Sequence, residues 1–182
     1  MNTTYPYCGA LLIDQIESPT GTVFGMVHMP GRNHVDAKGR VWRRNLAEDL
    51  DRIEAWGATG MVTLVEDPEF RKLGVPGFAD AVTTRRFGWF HMPIPDMQTP
   101  GSAFCEAWSR QSADFCKTAR GGRIVVHCAG GLGRTGMFIA KLLVEAGSLP
   151  LDAIKTVRHA RPGAIETLEQ EEFILSGRSL GT

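Results

Sequence analysis

The sequence predicts an α/β domain in which helices cover both faces of a central, mostly parallel sheet. Short apolar runs bounded by glycine and proline alternate along the chain with longer segments whose apolar residues recur at helical spacing. The length of 182 residues, with 43% apolar and 22% charged residues, suits one domain that builds its own core. No repeat, low-complexity segment or linker interrupts this pattern, so we expect a single domain over residues 1–182.

Five short apolar runs are predicted as strands. Pro19 and Gly21 separate the first two runs, which predicts a hairpin. Three consecutive branched residues from Ile124 to Val126 are typical of a strand that is buried on both faces. The predicted strands are 10–16, 22–29, 60–65, 87–94 and 123–127.

Seven segments are predicted as helices, the second of them as a short helix or a turn. In the first, Leu46, Leu50 and Ile53 recur at helical spacing and Gly57 supplies a stop signal. The polar segment 31–40 before it reads as a loop. The predicted helices are 43–56, 66–74, 76–84, 102–119, 135–146, 151–161 and 166–176.

Charge and cysteine content narrow the classes of function. Twenty basic and twenty acidic residues give a net charge near zero, so we expect no nucleic acid and no membrane as partner. Residues 1–16 lack both a basic n-region and a long apolar stretch. The four cysteines include no Cys-x-x-Cys pair, which speaks against zinc and against a disulfide framework. We expect a cytoplasmic protein with no metal and no cofactor, and we favour a monomer.

The segment from His127 to Gly136 predicts an anion site, because it joins a predicted strand to a predicted helix. Glycines at 130, 131 and 133 allow the backbone to curl until several N–H groups point at one centre. The N-terminus of the following helix adds partial positive charge. The loop Ala129-Gly130-Gly131-Leu132-Gly133-Arg134 is therefore predicted to cradle a phosphate.

Cys128 begins this loop and Arg134 closes it. A guanidinium can donate two parallel hydrogen bonds to phosphate, and the positive field favours a thiolate, which is a strong nucleophile. Thr135 can donate a hydrogen bond to the sulfur when it leaves in a second step. We expect His127 to orient the loop rather than to act as a base.

The pattern His127-Cys128-x5-Arg134-Thr135 resembles the signature of the protein tyrosine phosphatase superfamily, and the short chain is similar to its dual-specificity branch. Residues 130–134, 93–96 and 161–167 resemble the kinase-associated phosphatase subgroup, in order and spacing from about 60 to 173. The resemblance implies the cysteine-based phosphatase fold, a phosphocysteine intermediate and a phosphorylated protein as substrate.

Cleavage of a phosphoester needs a proton for the departing oxygen, and the loop itself holds no acid. In the resembled family the acid lies about thirty residues before the cysteine, a position that Asp96 matches. An aspartate beside proline is otherwise a common turn or cap residue. The resemblance also implies that Gln170 positions water. Whether Glu66, Asp67 or Glu69 pairs with Arg134, and whether Arg161 braces the loop, touches substrate or lies on the surface, stays open at this stage.

Residues 129–133 carry no basic side chain, which argues against a polyanionic lipid headgroup and favours phosphotyrosine and phosphoserine or phosphothreonine in proteins. Inositol phosphates or another small phosphoester remain alternatives, since basic residues elsewhere could compensate. A non-catalytic phosphate-binding module would lack the cysteine, the arginine or the acid. Sulfur transfer needs no acid such as Asp96, and arsenate reduction needs a resolving thiol that Cys105 and Cys116 are poorly placed to supply.

Overall fold

A computed structural model of the chain describes residues 7–181, so the predicted ends of the domain at 1–6 and 182 lie outside the described residues. Among the described helices, none combines the length and apolar character that a membrane span requires. Five strands form one sheet in the order β1-β2-β5-β3-β4. They are β1 (Asp14–Glu17), β2 (Val23–Val27), β3 (Gly60–Thr63), β4 (Gly88–His91) and β5 (Arg123–His127).

The predicted fold class is confirmed. Strands β1 and β2 form the expected antiparallel hairpin, while β2, β5, β3 and β4 are all parallel to one another. Successive side chains of a strand point to opposite faces, and Ile124, Val125 and Val126 of β5 are all fully buried. Both faces of the sheet are therefore covered at its centre.

The structure describes seven helices over residues 7–181. Helix α4 packs against β3 and β4, and α5 packs against β2 and β5 as well as against α6 and α7. The helices are α1 (Leu46–Ala55), α2 (Asp67–Lys72), α3 (Phe78–Thr83), α4 (Ser102–Ala119), α5 (Gly133–Glu145), α6 (Pro150–Ala160) and α7 (Leu168–Leu175).

The bounds of α4 and β5 match the prediction, whereas the other six helices start one to three residues away from their predicted positions. Helix α1 begins at Leu46 rather than at 43, because the Asn45 side chain accepts hydrogen bonds from the N–H groups of Ala47 (2.9 Å) and Glu48 (3.3 Å) and so caps the helix. Helix α5 begins at Gly133, two residues before the predicted start. Arg134 is consequently the second residue of a helix rather than part of an extended loop.

The parallel strands place the functional residues. Their carboxyl ends meet at one edge of the sheet, which is where open α/β sheets bind ligands. Cys128 follows β5 directly, and the segments after β2, β3 and β4 lead to Arg32, Glu69 and Asp96. Four segments that are far apart in sequence therefore converge around the loop between β5 and α5.

Candidate active site

The loop between β5 and α5 curls around the sulfur of Cys128. The N–H of Gly131 lies 3.2 Å from this sulfur, and Cys128 is only 3% exposed. Gly131 has a φ of 67°, and a Cβ atom at this position would lie 2.2 Å from the carbonyl oxygen of Val27. Glycine is therefore required here both by the backbone conformation and by the close approach of β2.

Arg134 is almost completely buried at 1% exposure, and its guanidinium is held in a fixed orientation. Its two Nη atoms donate to the two carboxylate oxygens of Glu69 at 2.7 and 2.9 Å, and Nη1 also donates to the carbonyl of Ile94 at 2.9 Å. Burial alone would lower the pKa of Arg134. The hydrogen bonds to Glu69 and the negative charges of Cys128, Glu69 and Asp96 instead raise this pKa above its ordinary value.

Glu69 is thus the carboxylate that orients Arg134, out of the three acids considered from the sequence. Its Oε2 atom also accepts the backbone N–H of Glu66 at 2.8 Å, which ties the start of α2 to the same pair. Glu66 is the N-cap of α2, while the Asp67 side chain is 86% exposed and lies 3.9 Å from His91. One turn of helix after β3 is enough to bring Glu69, and not its neighbours, onto the guanidinium.

Asp96 also contacts Arg134, with 2.8 Å between Oδ1 and Nη2, although its side chain is 64% exposed. Asp96 lies on the loop between β4 and α4, residues 92–101, which we call the acid loop. This loop is anchored where the N–H of Ile94 donates to the carbonyl of Leu64 at 3.0 Å. Met97, which follows Asp96, has a φ of 63°, and this backbone conformation is rare for residues other than glycine. The loop therefore brings a carboxylate to the arginine that closes the phosphate loop.

His127 is buried and neutral. Burial lowers its pKa to about 3, a shift to which the charges of His91 and Arg134 add. Its Nε2 atom lies 2.7 Å from Oγ1 of Thr63, which itself accepts from Trp89 at 2.9 Å. The carbonyl of Cys128, 3.4 Å from Nδ1, can only accept, so Nδ1 carries the single N–H of the neutral ring. Nε2 therefore accepts the hydroxyl hydrogen of Thr63. This geometry fits a residue that orients the loop.

Thr135 follows Arg134 at the start of α5 and is fully buried. Its Oγ1 atom has no hydrogen-bond partner in the described part of the chain. The Nε atom of Arg134 is in the same condition. Two polar atoms without partners beside an anion-binding loop are the donors that a bound phosphate and a departing sulfur would use.

Gln170 is fully buried on α7, and its amide is already engaged. Oε1 accepts the N–H of Glu166 at 3.0 Å, and Nε2 lies 3.4 Å from the carbonyl of Gln98 in the acid loop. The carboxylate of Glu166 in turn accepts the N–H of Gly133, a phosphate-loop amide, at 2.8 Å. Glu166 follows Ile165, a β-branched residue with a φ of 62°. Sequence reasoning missed Glu166.

Two further arginines brace the outside of the loop. Arg161 donates to the carbonyl of Gly130 at 3.1 Å and pairs with Asp14 at 2.5 Å. Of the roles considered from the sequence, these contacts favour bracing of the loop. Arg32 donates to the carbonyl of Ala129 at 3.2 Å. Sequence reasoning missed Arg32 as well, because only the parallel pairing of β2 with β5 brings it to the loop. Over residues 7–181, His, Cys, Asp and Glu side chains form no cluster that could hold a metal ion.

A cysteine at the base of a strand-to-helix loop that an arginine closes is the site of a cysteine-based phosphatase. Comparison with known families agrees: residues 37–148 match the family described as "Polymorphic toxin system, DSP-PTPase phosphatase". This match includes Asp96, Cys128 and Arg134 and stops before Arg161. The chain belongs to this family, and it is a phosphatase of the protein tyrosine and dual-specificity class.

Individual relatives fall in the same class. The chain is 30% identical over 152 residues to cyclin-dependent kinase inhibitor 3 of Mus musculus, which covers 82% of this chain and 69% of that protein. It is 32% identical over 123 residues to protein tyrosine phosphatase type IVA 3 of Homo sapiens, which covers 67% of this chain and 66% of that protein.

Solved structures agree with the sequence relatives. Kinase associated phosphatase, with serine in place of its catalytic-site cysteine, superposes with a TM-score of 0.77 at 25% identity, over 93% of this chain and 98% of that one. Tk-PTP in its active form gives a TM-score of 0.64 at 26% identity, over 96% of this chain and 99% of that one.

Proposed function

We propose that this phosphatase hydrolyses phosphotyrosine, and also phosphoserine and phosphothreonine, in protein substrates through a phosphocysteine on Cys128. The observation that carries the proposal is the meeting of three groups at one edge of the sheet. The Cys128 sulfur lies under the Gly131 N–H, Arg134 closes the loop, and Asp96 reaches the same guanidinium from another loop.

The phosphate loop, residues 129–134, would bind the phosphoryl oxygens through its backbone N–H groups. Arg134 would add donors from its fork, whose Nε atom has no other hydrogen-bond partner. Glu69 would keep the guanidinium in place and leave its remaining donors for substrate. Neutral His127, fixed by Thr63, would hold the first carbonyl of the loop outward.

In the first step the Cys128 thiolate would attack phosphorus. A sulfur–phosphorus bond forms, the ester oxygen departs, and Asp96 gives that oxygen its proton. The pairing of Asp96 with Arg134 supports this role, because it brings the carboxyl group to the guanidinium that would bind the phosphate. Its 64% exposure leaves the side chain room to turn toward the leaving group.

In the second step water would attack the phosphocysteine. Asp96, now a carboxylate, takes a proton from that water, phosphate is released and the sulfur leaves as a thiolate. Thr135 would donate a hydrogen bond to this thiolate, for which its unpartnered buried hydroxyl is available. Gln170 stays a candidate for positioning the water, acting from a place where its amide joins Glu166 and the acid loop.

We also propose that the enzyme is a monomeric, single-domain, cytoplasmic protein that acts on phosphorylated proteins. Cys105, Cys116 and Cys128 are free thiols, which suits a reducing compartment and an enzyme with a thiolate nucleophile. Residues 129–133 carry no charged side chain, which supports a substrate with a single phosphoester at the loop rather than an inositol polyphosphate.

The nucleophile is tested with p-nitrophenyl phosphate. Cys128→Ser is expected to abolish turnover while retaining affinity for vanadate, and Cys116→Ser, which changes an exposed thiol, serves as the matched control. Turnover by Cys128→Ser near the wild-type rate would contradict the assignment.

The acid is tested by Asp96→Ala, which should lower kcat by roughly 10²–10⁴, most for substrates with poor leaving groups. Asp114→Ala, on the exposed side of α4, is the control. An unchanged kcat would mean that the proton comes from another group. A panel of phosphotyrosine, phosphothreonine and inositol phosphate substrates then measures the preference, and turnover of inositol phosphates alone would contradict a protein substrate.

A further inference from the structure

Arg32 is a buried cation beside the phosphate loop, and the negative charges of Asp36, Cys128 and Asp96 act on it from beyond ion-pair distance. The residue is only 8% exposed, and over residues 7–181 it forms no ion pair. Its neutral contacts are the carbonyl of Ala129 (3.2 Å), the ring of Trp42 (3.9 Å to the centroid) and Nε2 of His34 (3.5 Å). Its Nε atom is buried with no hydrogen-bond partner. Burying a charge in this way is unfavourable unless an anion compensates it.

A cleft of about 530 Å³ runs from Arg32 along the side of the phosphate loop. Ala129 of the phosphate loop and Asp96, the proposed acid, are among the residues that line it. Lys38 and Lys72 line it further out, the first on the segment after β2 and the second on α2. The cleft thus connects the reaction centre to three cations.

Three of the four carboxylates that line this cleft are already paired with an arginine. Asp36 accepts hydrogen bonds from Arg40 (2.7 Å) and from the Trp42 indole (3.0 Å), and these contacts also fix the turn that presents Lys38. Glu69 and Asp96 are both paired with Arg134. Glu69 and Asp96 share the one positive charge of Arg134, so the cleft and Arg134 together hold five cations and four carboxylates. Over residues 7–181, Arg32, Lys38 and Lys72 are the three of these cations that form no ion pair.

We propose that this cleft is a second anion subsite, which binds a phosphate or carboxylate that the substrate protein carries close to the phosphoester attacked by Cys128. The inference rests on the proposed function and adds to it a preference for acidic or multiply phosphorylated sequences. An extended peptide advances about 3.3 Å per residue, so an anionic side chain one or two positions from the phosphoresidue reaches the cleft. Lys38 and Lys72 are exposed on the rim, where a peptide has access.

The experiment compares three phosphotyrosine peptides of one sequence, flanked by alanine, by aspartate or by phosphoserine. The wild-type enzyme should favour each anionic peptide over the alanine peptide in kcat/KM by roughly tenfold at low salt, and less as ionic strength rises. The double variant Lys38→Ala/Lys72→Ala should lose about threefold to tenfold of that ratio. Lys117→Ala, on exposed α4 surface, should keep the ratio, and Glu66→Gln should increase it.

Arg32→Gln should also reduce the ratio, and the lysine variants keep the test valid if this buried substitution impairs folding. If kcat/KM rises more for the phosphoserine peptide than for the aspartate peptide, the ligand of the subsite is a second phosphate. If it rises equally for both peptides, the subsite accepts either a carboxylate or a phosphate. Equal kcat/KM on all three peptides would overturn the subsite while leaving the proposed function intact. No hydrolysis of any phosphopeptide would instead overturn the proposed function.

Discussion

Removing the carboxylate that holds Arg134, by Glu69→Ala, should damage both stability and catalysis. Arg134 is 1% and the Glu69 side chain 12% exposed, and breaking a buried ion pair of this kind destabilises a protein by about 3–5 kcal/mol. Arg134 keeps its hydrogen bond to Ile94 (2.9 Å) and its contact with the exposed Asp96 (2.8 Å), which offset part of this loss. We therefore expect a loss of about 2–3 kcal/mol, or roughly 4–12 °C in Tm for a domain of this size.

The same change should lower kcat/KM by about 10- to 100-fold, because the guanidinium loses the two hydrogen bonds that fix its orientation toward the phosphate. Thermal denaturation and steady-state hydrolysis of p-nitrophenyl phosphate measure the two effects. Asp67→Ala, which removes an 86% exposed carboxylate from the same helix, should stay within about 0.5 kcal/mol of wild type. A Glu69→Ala enzyme with a Tm within about 1 °C of wild type and an unchanged kcat/KM would refute the reasoning.

Three further predictions concern the loop and its surroundings. Gly131→Ala should destabilise the protein by about 3 kcal/mol or more, whereas a Cβ at Gly130 meets no atom closer than 3.9 Å and Gly130→Ala should unfold within about 1 kcal/mol of wild type in urea titrations. Glu166→Gln should tighten vanadate binding about fivefold in inhibition assays, because it removes a negative charge beside the phosphate loop while the amide oxygen can still accept the N–H of Gly133; weaker binding would contradict this electrostatic effect. Burial lowers the pKa of both His127 and His28 to about 3 in the folded protein, whereas a histidine of the unfolded chain has a pKa of about 6.5. Between these two pH values the unfolded chain binds protons on both histidines and the folded protein does not. The free energy of unfolding should therefore be highest above about pH 6.5 and fall toward pH 3 by up to ~1.4 kcal/mol per unit for each histidine; equal stability at pH 7 and pH 5 would exclude this linkage.

The local sequence determined those parts of the protein that depend on neighbouring residues. The hairpin, the bounds of α4 and β5, and the position of the phosphate loop follow from apolar runs, glycines and prolines. Cys128 and Arg134 lie six positions apart on one turn, so their meeting is set by the geometry of a strand-to-helix loop. Spacing alone predicts a start of α1 three residues before Leu46, because it does not reveal the cap that Asn45 forms at the start of the helix.

Contacts between distant segments were decided only by the tertiary structure. The sequence offered Glu66, Asp67 and Glu69 as equal partners for Arg134, and the turn of α2 after β3 selects Glu69. Arg32 follows β2, and only the pairing of β2 with β5 in the sheet brings it to the phosphate loop. Side chains of this kind carry no local signature, because the strand order that joins them depends on the packing of the whole sheet rather than on neighbouring residues.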